Sequence, residues 1–377
     1  MGFPEVMGVC LNLPRKSLQL EIDGFMELID PSIEKPMTKQ AFSKARHNIL
    51  PSAFKELFEL NLADIHGQDM ILPRKGWRIF AIDGTELQLP GYGEMLRSYK
   101  HNSEHSLPHA RASILCDVVS GFIVHAAIDT TARSERSLAL EHLEYFRQFK
   151  REKDLVIFDR GYPSGEMIKN LASGGFKFLF RVPRGFNIPA DNSAEIDFSA
   201  NVQGQEVRAV KVSLPGGETE LLFTNLTKED FGADEFAELY HLRWSVETKY
   251  NTLKNKLEIE SFSGRTLATV QQDFWAALFL SNIAAAIKRD SDEAIGKRNE
   301  GRQLRYEYKT NENILIGKLK NNLVKILLED DGDVRGRLLI KLIERISSFM
   351  VPVRPGRSFP RKPDQHKKIG NKPRRAL

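Results

Sequence analysis

Hydrophobic and polar positions follow two rhythms along this chain, and the change between them sets its organisation. From Leu18 to Leu60 apolar residues recur at helical spacing. Pro36-Met37-Thr38 interrupts that region and supplies an N-cap for a short helix, Lys39-Gln40-Ala41-Phe42-Ser43-Lys44-Ala45-Arg46-His47. Ala41, Phe42 and Ala45 fall on one side of it; Lys39, Gln40, Ser43, Lys44, Arg46 and His47 fall toward the other. From Trp77 the texture turns strand-like. Trp77 to Ile82 and Leu155 to Phe158 are short β-rich apolar runs that read as buried strands. Ala110 to Val119 and Phe122 to Ala127 are two more, joined by the hairpin signal Ser120-Gly121. Helical patterns follow at Ser134 to Phe149 and Ser164 to Ala172, then a strand at Phe176 to Val182. Asn187 to Asn225 breaks this alternation with a small β excursion. Beyond Gly264 the pattern is helical again, at Leu267 to Lys288, Asn311 to Leu328 and Val334 to Met350.

This is an α/β chain. Three antiparallel strands, then a helix, a strand, a helix and a strand, is the order of a ribonuclease H-like sheet, in which the first and fourth strands lie side by side. Each of those two ends in an acid followed by a turn-like glycine: Asp83-Gly84-Thr85 and Asp159-Arg160-Gly161-Tyr162. Asp-Gly is ordinary turn chemistry, whereas a carboxylate at the mouth of a buried strand is an ordinary place for a site. If the sheet order holds, Asp83 and Asp159 are neighbours.

A third stretch, Tyr240 to Lys254, has no Gly or Pro and sits within a helical pattern that begins near Ala233. On a regular helix Tyr240, Arg243, Glu247 and Lys254 fall within an arc of about 60°, spread over roughly 21 Å of axis. A lone Arg/Glu/Lys set of this kind is usually a solvated face. Leu242, Trp244, Val246 and Leu253 leave this helix little purely solvated face, so the stripe asks for partners.

Composition narrows the picture. The 377 residues suffice for two or three domains, and the apolar fraction of 41% with 28% charged is that of a soluble globular protein. The longest apolar run, Phe274 to Ile287, is too short to span a bilayer and reads as a buried helix. Met1 to Arg15 lacks an export-signal pattern. Two cysteines provide neither a disulfide framework nor a zinc spacing, which points to reducing cytoplasm. His101, His105 and His109 lie in a loop, where helical spacing has no meaning for a metal site. The net charge of +5 conceals an asymmetry: residues 351–377 hold nine Lys/Arg against Asp364, and the remaining chain is net −3. Such a tail is disordered alone by composition and suits a polyanion such as nucleic acid, or serves solubility. The Lys39–His47 helix fits a DNA groove or an ordinary surface.

Ile82-Asp83-Gly84-Thr85, Asp159-Arg160-Gly161-Tyr162 and Tyr240-x2-Arg243-x3-Glu247-x6-Lys254 together resemble the three signature blocks of DDE transposases of insertion-sequence family four. The helix beginning at Lys39 and the Val353-Arg354-Pro355 segment are similar as well, so the resemblance covers nearly the whole chain. It implies a ribonuclease H-like catalytic core at 76–262 with a β insertion at about 187–225. Around the core it implies an N-terminal helical DNA-binding region (1–75), a C-terminal helical region (263–350) and a basic tail (351–377). It implies Asp83, Asp159 and Glu247 as catalytic, metal-binding acids, with Mg²⁺ and Mn²⁺ as a substitute. Three converging carboxylates need a cation to offset their repulsion, and hard oxygen ligands select these ions. Tyr240, Arg243, Lys254 and Arg160 become phosphate contacts, and Lys39, Lys44 and Arg46 become contacts to DNA. The implied partners are double-stranded DNA, as element terminal repeats and target, and a second copy in a homodimer. The implied activity is cut-and-paste transposition through a hairpin on the element end. A displaced base needs an aromatic stacking partner, for which the insertion offers Phe198 and Phe223. The alternative is a non-catalytic DNA-binding regulator or inhibitor derived from a transposase. A phosphomonoesterase with Asp83 as nucleophile is disfavoured, because position 85 is Thr rather than a second acid.

Overall fold

The first apolar run forms β1, Arg78–Gln88, which passes straight through Asp83 instead of ending there. The structure, a computed structural model, describes residues 2–12, 14–35, 37–99, 107–213 and 218–354. The chain divides into two compact units. One comprises Leu62–Leu87 with His109–Asn251; the other comprises Met1–Asn61, Gln88–Pro108 and Thr252–Leu377.

The first unit is built on one sheet. After β1 come β2 (His109–Asp117), β3 (Ile123–Thr130), β4 (Asp154–Phe158), β5 (Lys177–Val182), β6 (Asp197–Val202), β7 (Gln205–Ser213) and β8 (Thr219–Thr224). Their spatial order is β3-β2-β1-β4-β5-β8-β7-β6. The first five strands thus have the ribonuclease H-like order, with β1 parallel to β4 and β4 parallel to β5. The β excursion is no separate lobe: β8 pairs antiparallel with β5 and extends the same sheet. Helix Glu135–Phe146 packs on β2 and β3, and helix Gly165–Ser173 packs on β5 and β7. Each begins as its sequence dictates, with Ser134 and Ser164 accepting the N–H of Ser137 and Met167.

Every residue of β4 is buried, which explains its unbroken apolar run. Phe80 lies edge-on to Phe146, and Phe158 stacks on Phe180 at 4.7 Å. Register is fixed by a buried fork: Arg78 Nε and Nη2 donate to Asp154 Oδ1 and Oδ2 at 2.7 and 2.5 Å. Pairing then runs from Arg78↔Asp154 to Ile82↔Phe158, so the next residues are Asp83, still in β1, and Asp159, just past the end of β4.

The second unit is mostly helical. Helix Leu267–Asn299 runs eleven residues beyond the predicted end at Lys288. The predicted Asn311–Leu328 helix is two, Glu312–Leu319 and Leu323–Leu327, separated where Asn321 has φ 67°. Helix Gly332–Ser347 follows, and Met350–Val353 pairs antiparallel with Glu307–Thr310. The start of the predicted basic tail is therefore strand; residues 355–377, with His101, His105, Pro36 and Gly216-Gly217, lie outside the described residues. Among the described residues no helix is long and apolar enough to cross a membrane.

Helix Lys39–His47 forms with Thr38 as its cap, but its buried face is not the predicted one. Phe42 and Arg46 are buried, whereas Ala41 is exposed. Arg46 donates to Gln272 Oε1 (2.6 Å), Ser263 Oγ (2.5 Å), the Thr269 carbonyl (3.1 Å) and Asp273 Oδ1 (2.9 Å). A guanidinium so enclosed is a structural ion pair and is not available to DNA, which corrects its assignment. Lys39 and Lys44 are exposed, as expected.

Replacing Arg46 by Ala leaves Asp273 without its buried partner. Unfolding in urea should show a loss of roughly 3–5 kcal/mol, whereas Lys39→Ala and Lys44→Ala should stay within about 0.5 kcal/mol of the parent. Equal effects at all three positions would contradict the buried pair.

Candidate active site

The segment from Gly232 to Lys256 is not one regular helix. A tight turn at Ala233–Glu235 leads into helix Phe236–His241, and the next helix is Trp244–Asn251. Between them Arg243 N–H donates to the Tyr240 carbonyl and Val246 N–H to the Arg243 carbonyl, both at 3.0 Å. These three-residue bonds tighten the chain around Arg243. Thr252–Lys256 then forms a π-helical turn, a wider winding that suits functional positions. The stripe predicted at 100° per residue is therefore not kept over its full length. Phe236, Tyr240, Arg243, Val246 and Tyr250 make the buried face, and Trp244 is 52% exposed.

Burying Arg243 demands carboxylates, and three surround it. Its Nη2 donates to Glu247 Oε1 at 2.7 Å, its Nη1 is 3.7 Å from Asp83 Oδ2, and its Nε is 4.0 Å from Asp159 Oδ1. The Tyr240 hydroxyl donates to Asp159 Oδ1 at 3.1 Å. Tyr240, Arg243, Glu247, Asp83 and Asp159, drawn from three distant stretches, thus meet in one place. Arg160 is exposed beside Asp159. Lys254 belongs to the second unit, where its Nζ is 3.9 Å from Glu260 Oε1; Lys39, Lys44 and Arg46 also belong to that unit. Of the aromatics offered for stacking, Phe223 is fully buried in β8 and is excluded, and Phe198 is half-buried.

Burial pushes the Asp83 carboxyl up to about 6. The Gly84 N–H and Arg243 oppose that rise, while Asp159 and Glu135 add to it. Burial by itself would weaken the Arg243 guanidinium, but Tyr240, Asp159, Glu247 and Asp83 outweigh it and raise its pKa. The Tyr240 phenol is raised by burial and by Asp159.

Three participants carry no readable sequence signal. Glu135, in the first turn of its helix, looks like ordinary helix-start chemistry. Its carboxyl group lies 3.1 Å from where a Cβ on Gly84 would stand, so a larger residue there would make Glu135 shift by a few tenths of an ångström. Tyr250 donates to the Asp83 carbonyl at 2.8 Å, and Ser113 Oγ donates to the same carbonyl at 3.2 Å. A fourth, Tyr162, stands in the sequence only as part of a motif. Its hydroxyl is buried without a hydrogen-bond partner among the described residues, in the field of Asp83, Glu135 and Asp159.

The three acids enclose the Arg243 guanidinium. Among the described residues, no group of three or more His, Cys, Asp or Glu is clustered tightly enough to hold a metal. The donor chemistry nonetheless fits a hard divalent cation. Three carboxylates share one buried cation, and no hydrogen bond is seen to Asp83 Oδ2 or Asp159 Oδ2 among the described residues. Arg243 Nε is buried and makes no hydrogen bond among the described residues.

Residues 74–283 match the family model described as "Transposase DDE domain". The chain is similar to the transposase InsG for insertion sequence element IS4 of Escherichia coli (strain K12), 21% identical over 298 residues. That match covers 73% of this chain and 66% of the relative, just short of two thirds of its length. Among solved structures, it is similar to the piggyBac transposase of a synaptic complex with hairpin DNA. The TM-score is 0.48 with 12% identity, over 94% of this chain and 77% of that one.

The raised Asp83 carboxyl has a consequence for stability. An ordinary Asp loses its proton near 3.9, so between about 4 and about 6 the folded protein holds a proton that the unfolded chain has released. Its contribution therefore falls as pH rises through that window and is level above it. Urea midpoints in EDTA should decline less from pH 4.5 to 7 for Asp83→Asn than for the parent. Identical declines would show that burial does not perturb this group.

Proposed function

The chain belongs to the transposase DDE-domain family, and we propose that it nicks the ends of a DNA element and joins the freed 3′-hydroxyl to target DNA. The observation that carries this reading is the meeting of Asp83, Asp159 and Glu247, from two parallel strands and a helix, around one guanidinium. Each step is a displacement at phosphorus, in which one P–O bond forms as another breaks. Water attacks first and releases the 3′-hydroxyl at the element end. That hydroxyl then attacks the opposite strand, closing a hairpin, and after reopening attacks the target.

When bound, Mg²⁺, or Mn²⁺ in its place, would activate the attacking oxygen and stabilise the leaving one. Asp83 and Asp159 would hold it through their carboxylate oxygens. Glu247, 43% exposed at the rim, would join them by side-chain rotation away from Arg243. Arg243 keeps its charge among the acids and, once released by Glu247, turns a guanidinium edge to the scissile phosphate. Tyr240 holds Asp159 in place. Arg160 and Lys254 contact phosphates of the bound DNA, and Lys39 and Lys44 also contact DNA. Two copies, one per element end, make the working assembly.

A duplex carrying the terminal repeat tests this directly. Wild type should nick it only with Mg²⁺ or Mn²⁺. Asp83→Ala, Asp159→Ala and Glu247→Ala should each lower the nicking rate by roughly 10²–10³-fold or more while band-shift affinity is kept. Wild type and variants that bind equally and never nick would instead support the non-catalytic regulator.

A further inference from the structure

We propose that a groove in the helical unit, remote in sequence from the DDE residues, binds the phosphate backbone of duplex DNA without regard to base sequence. The groove, about 160 Å³, is lined by Lys318, Lys325, Lys341 and Arg345 over an apolar floor that includes Ile326 and Leu342. Lys318 lies in the last turn of helix Glu312–Leu319 and Lys325 lies on helix Leu323–Leu327. Lys341 and Arg345 are one turn apart on helix Gly332–Ser347, so both walls carry cations. All four lie outside the 74–283 family match.

None of these four cations forms an ion pair among the described residues. The contrast with their neighbours is instructive, since Lys320 is bound to Glu21 at 2.9 Å and Lys256 is bound to Glu312. Like charges one turn apart repel, and an anion lying between the walls relieves that repulsion. Ile326 and Leu342 are 6% and 4% exposed, a rigid floor along which the cationic stems extend to solvent. The rise from Lys341 to Arg345 is about 6 Å, which spans about two phosphates of one strand at 3.4 Å each.

The composition favours nucleic acid over an acidic protein. Lysine is depleted at protein interfaces, whereas Lys and Arg on phosphate oxygens are the ordinary way to position a duplex. The turn before Gly332–Ser347 carries Glu329, Asp330 and Asp331, and Asp333 follows in the helix's first turn. These acids repel phosphate, so the duplex leaves the groove at that end.

The proposal rests on the reading that this protein acts on DNA, but its test does not need cleavage. The full chain with Lys318→Gln, Lys325→Gln, Lys341→Gln and Arg345→Gln is compared with wild type by fluorescence anisotropy on a random-sequence duplex at several salt concentrations. The slope of log K against log salt should become shallower by about 0.9 for each phosphate no longer neutralised, hence by roughly three to four units. The Arg version, with all three lysines changed to Arg, should keep the wild-type slope. Circular dichroism and the urea midpoint establish that each variant is folded. A folded Gln variant with the wild-type slope overturns the proposal. So does a variant that loses poly-glutamate binding but keeps DNA binding, which would assign the groove to acidic protein. Absence of nicking by wild type would defeat the transposition reading alone and leave the slopes interpretable.

Discussion

The buried fork between Arg78 and Asp154 is the constraint on which the site depends. Parallel strands slide against each other unless something forbids it, and a slip of one residue turns every side chain to the opposite face. A guanidinium and a carboxylate, both nearly inaccessible to water, tolerate no such slip, because each would be left charged and unpaired. With that pair aligned, four apolar register pairs follow in step. Asp83, in β1, and Asp159, directly after β4, then follow the last register pair side by side. A buried ion pair of this kind is weak evidence for stability, and its value lies in selecting one register.

What the strands bring together, Arg243 keeps together. Carboxylates at close quarters raise one another's pKa, and Asp83 shows the effect, pushed up by burial with Asp159 and Glu135 adding to it. A single guanidinium, tightened into place by the turn between two helices, offsets part of that repulsion. It leaves a net negative pocket with Tyr162 and Arg243 carrying buried polar atoms that no described residue satisfies. The backbone at Asp83 is meanwhile braced by Tyr250 and Ser113, which hold its carbonyl in place while the acids converge.

Much of this was legible in the chain itself. Runs such as Leu155 to Phe158 fit buried strands, and Ser134, Ser164 and Thr38 mark helix starts that the structure keeps. The departures have physical causes. Local pattern turns Arg46 outward, where arginine usually lies, yet Gln272, Ser263 and Asp273, more than two hundred residues away, supply its partners. Asp83-Gly84 reads as a turn because nothing local reveals that β1 runs on through it and that Glu135 packs close against Gly84. The stripe from Tyr240 to Lys254 supposes one winding, and the chain uses three.

By itself the sequence determined the order of strands and helices, because burial periodicity and caps are written in nearest neighbours. It also determined the three blocks that carry the acids, since each is a local motif. Only the tertiary structure decided which of those groups meet. The enclosure of Arg243 by three carboxylates, the approach of Glu135 and the grouping of cations along the helical groove each depend on partners distant along the chain. Local pattern cannot encode such a meeting: a side chain's charge and exposure are settled by what packs against it.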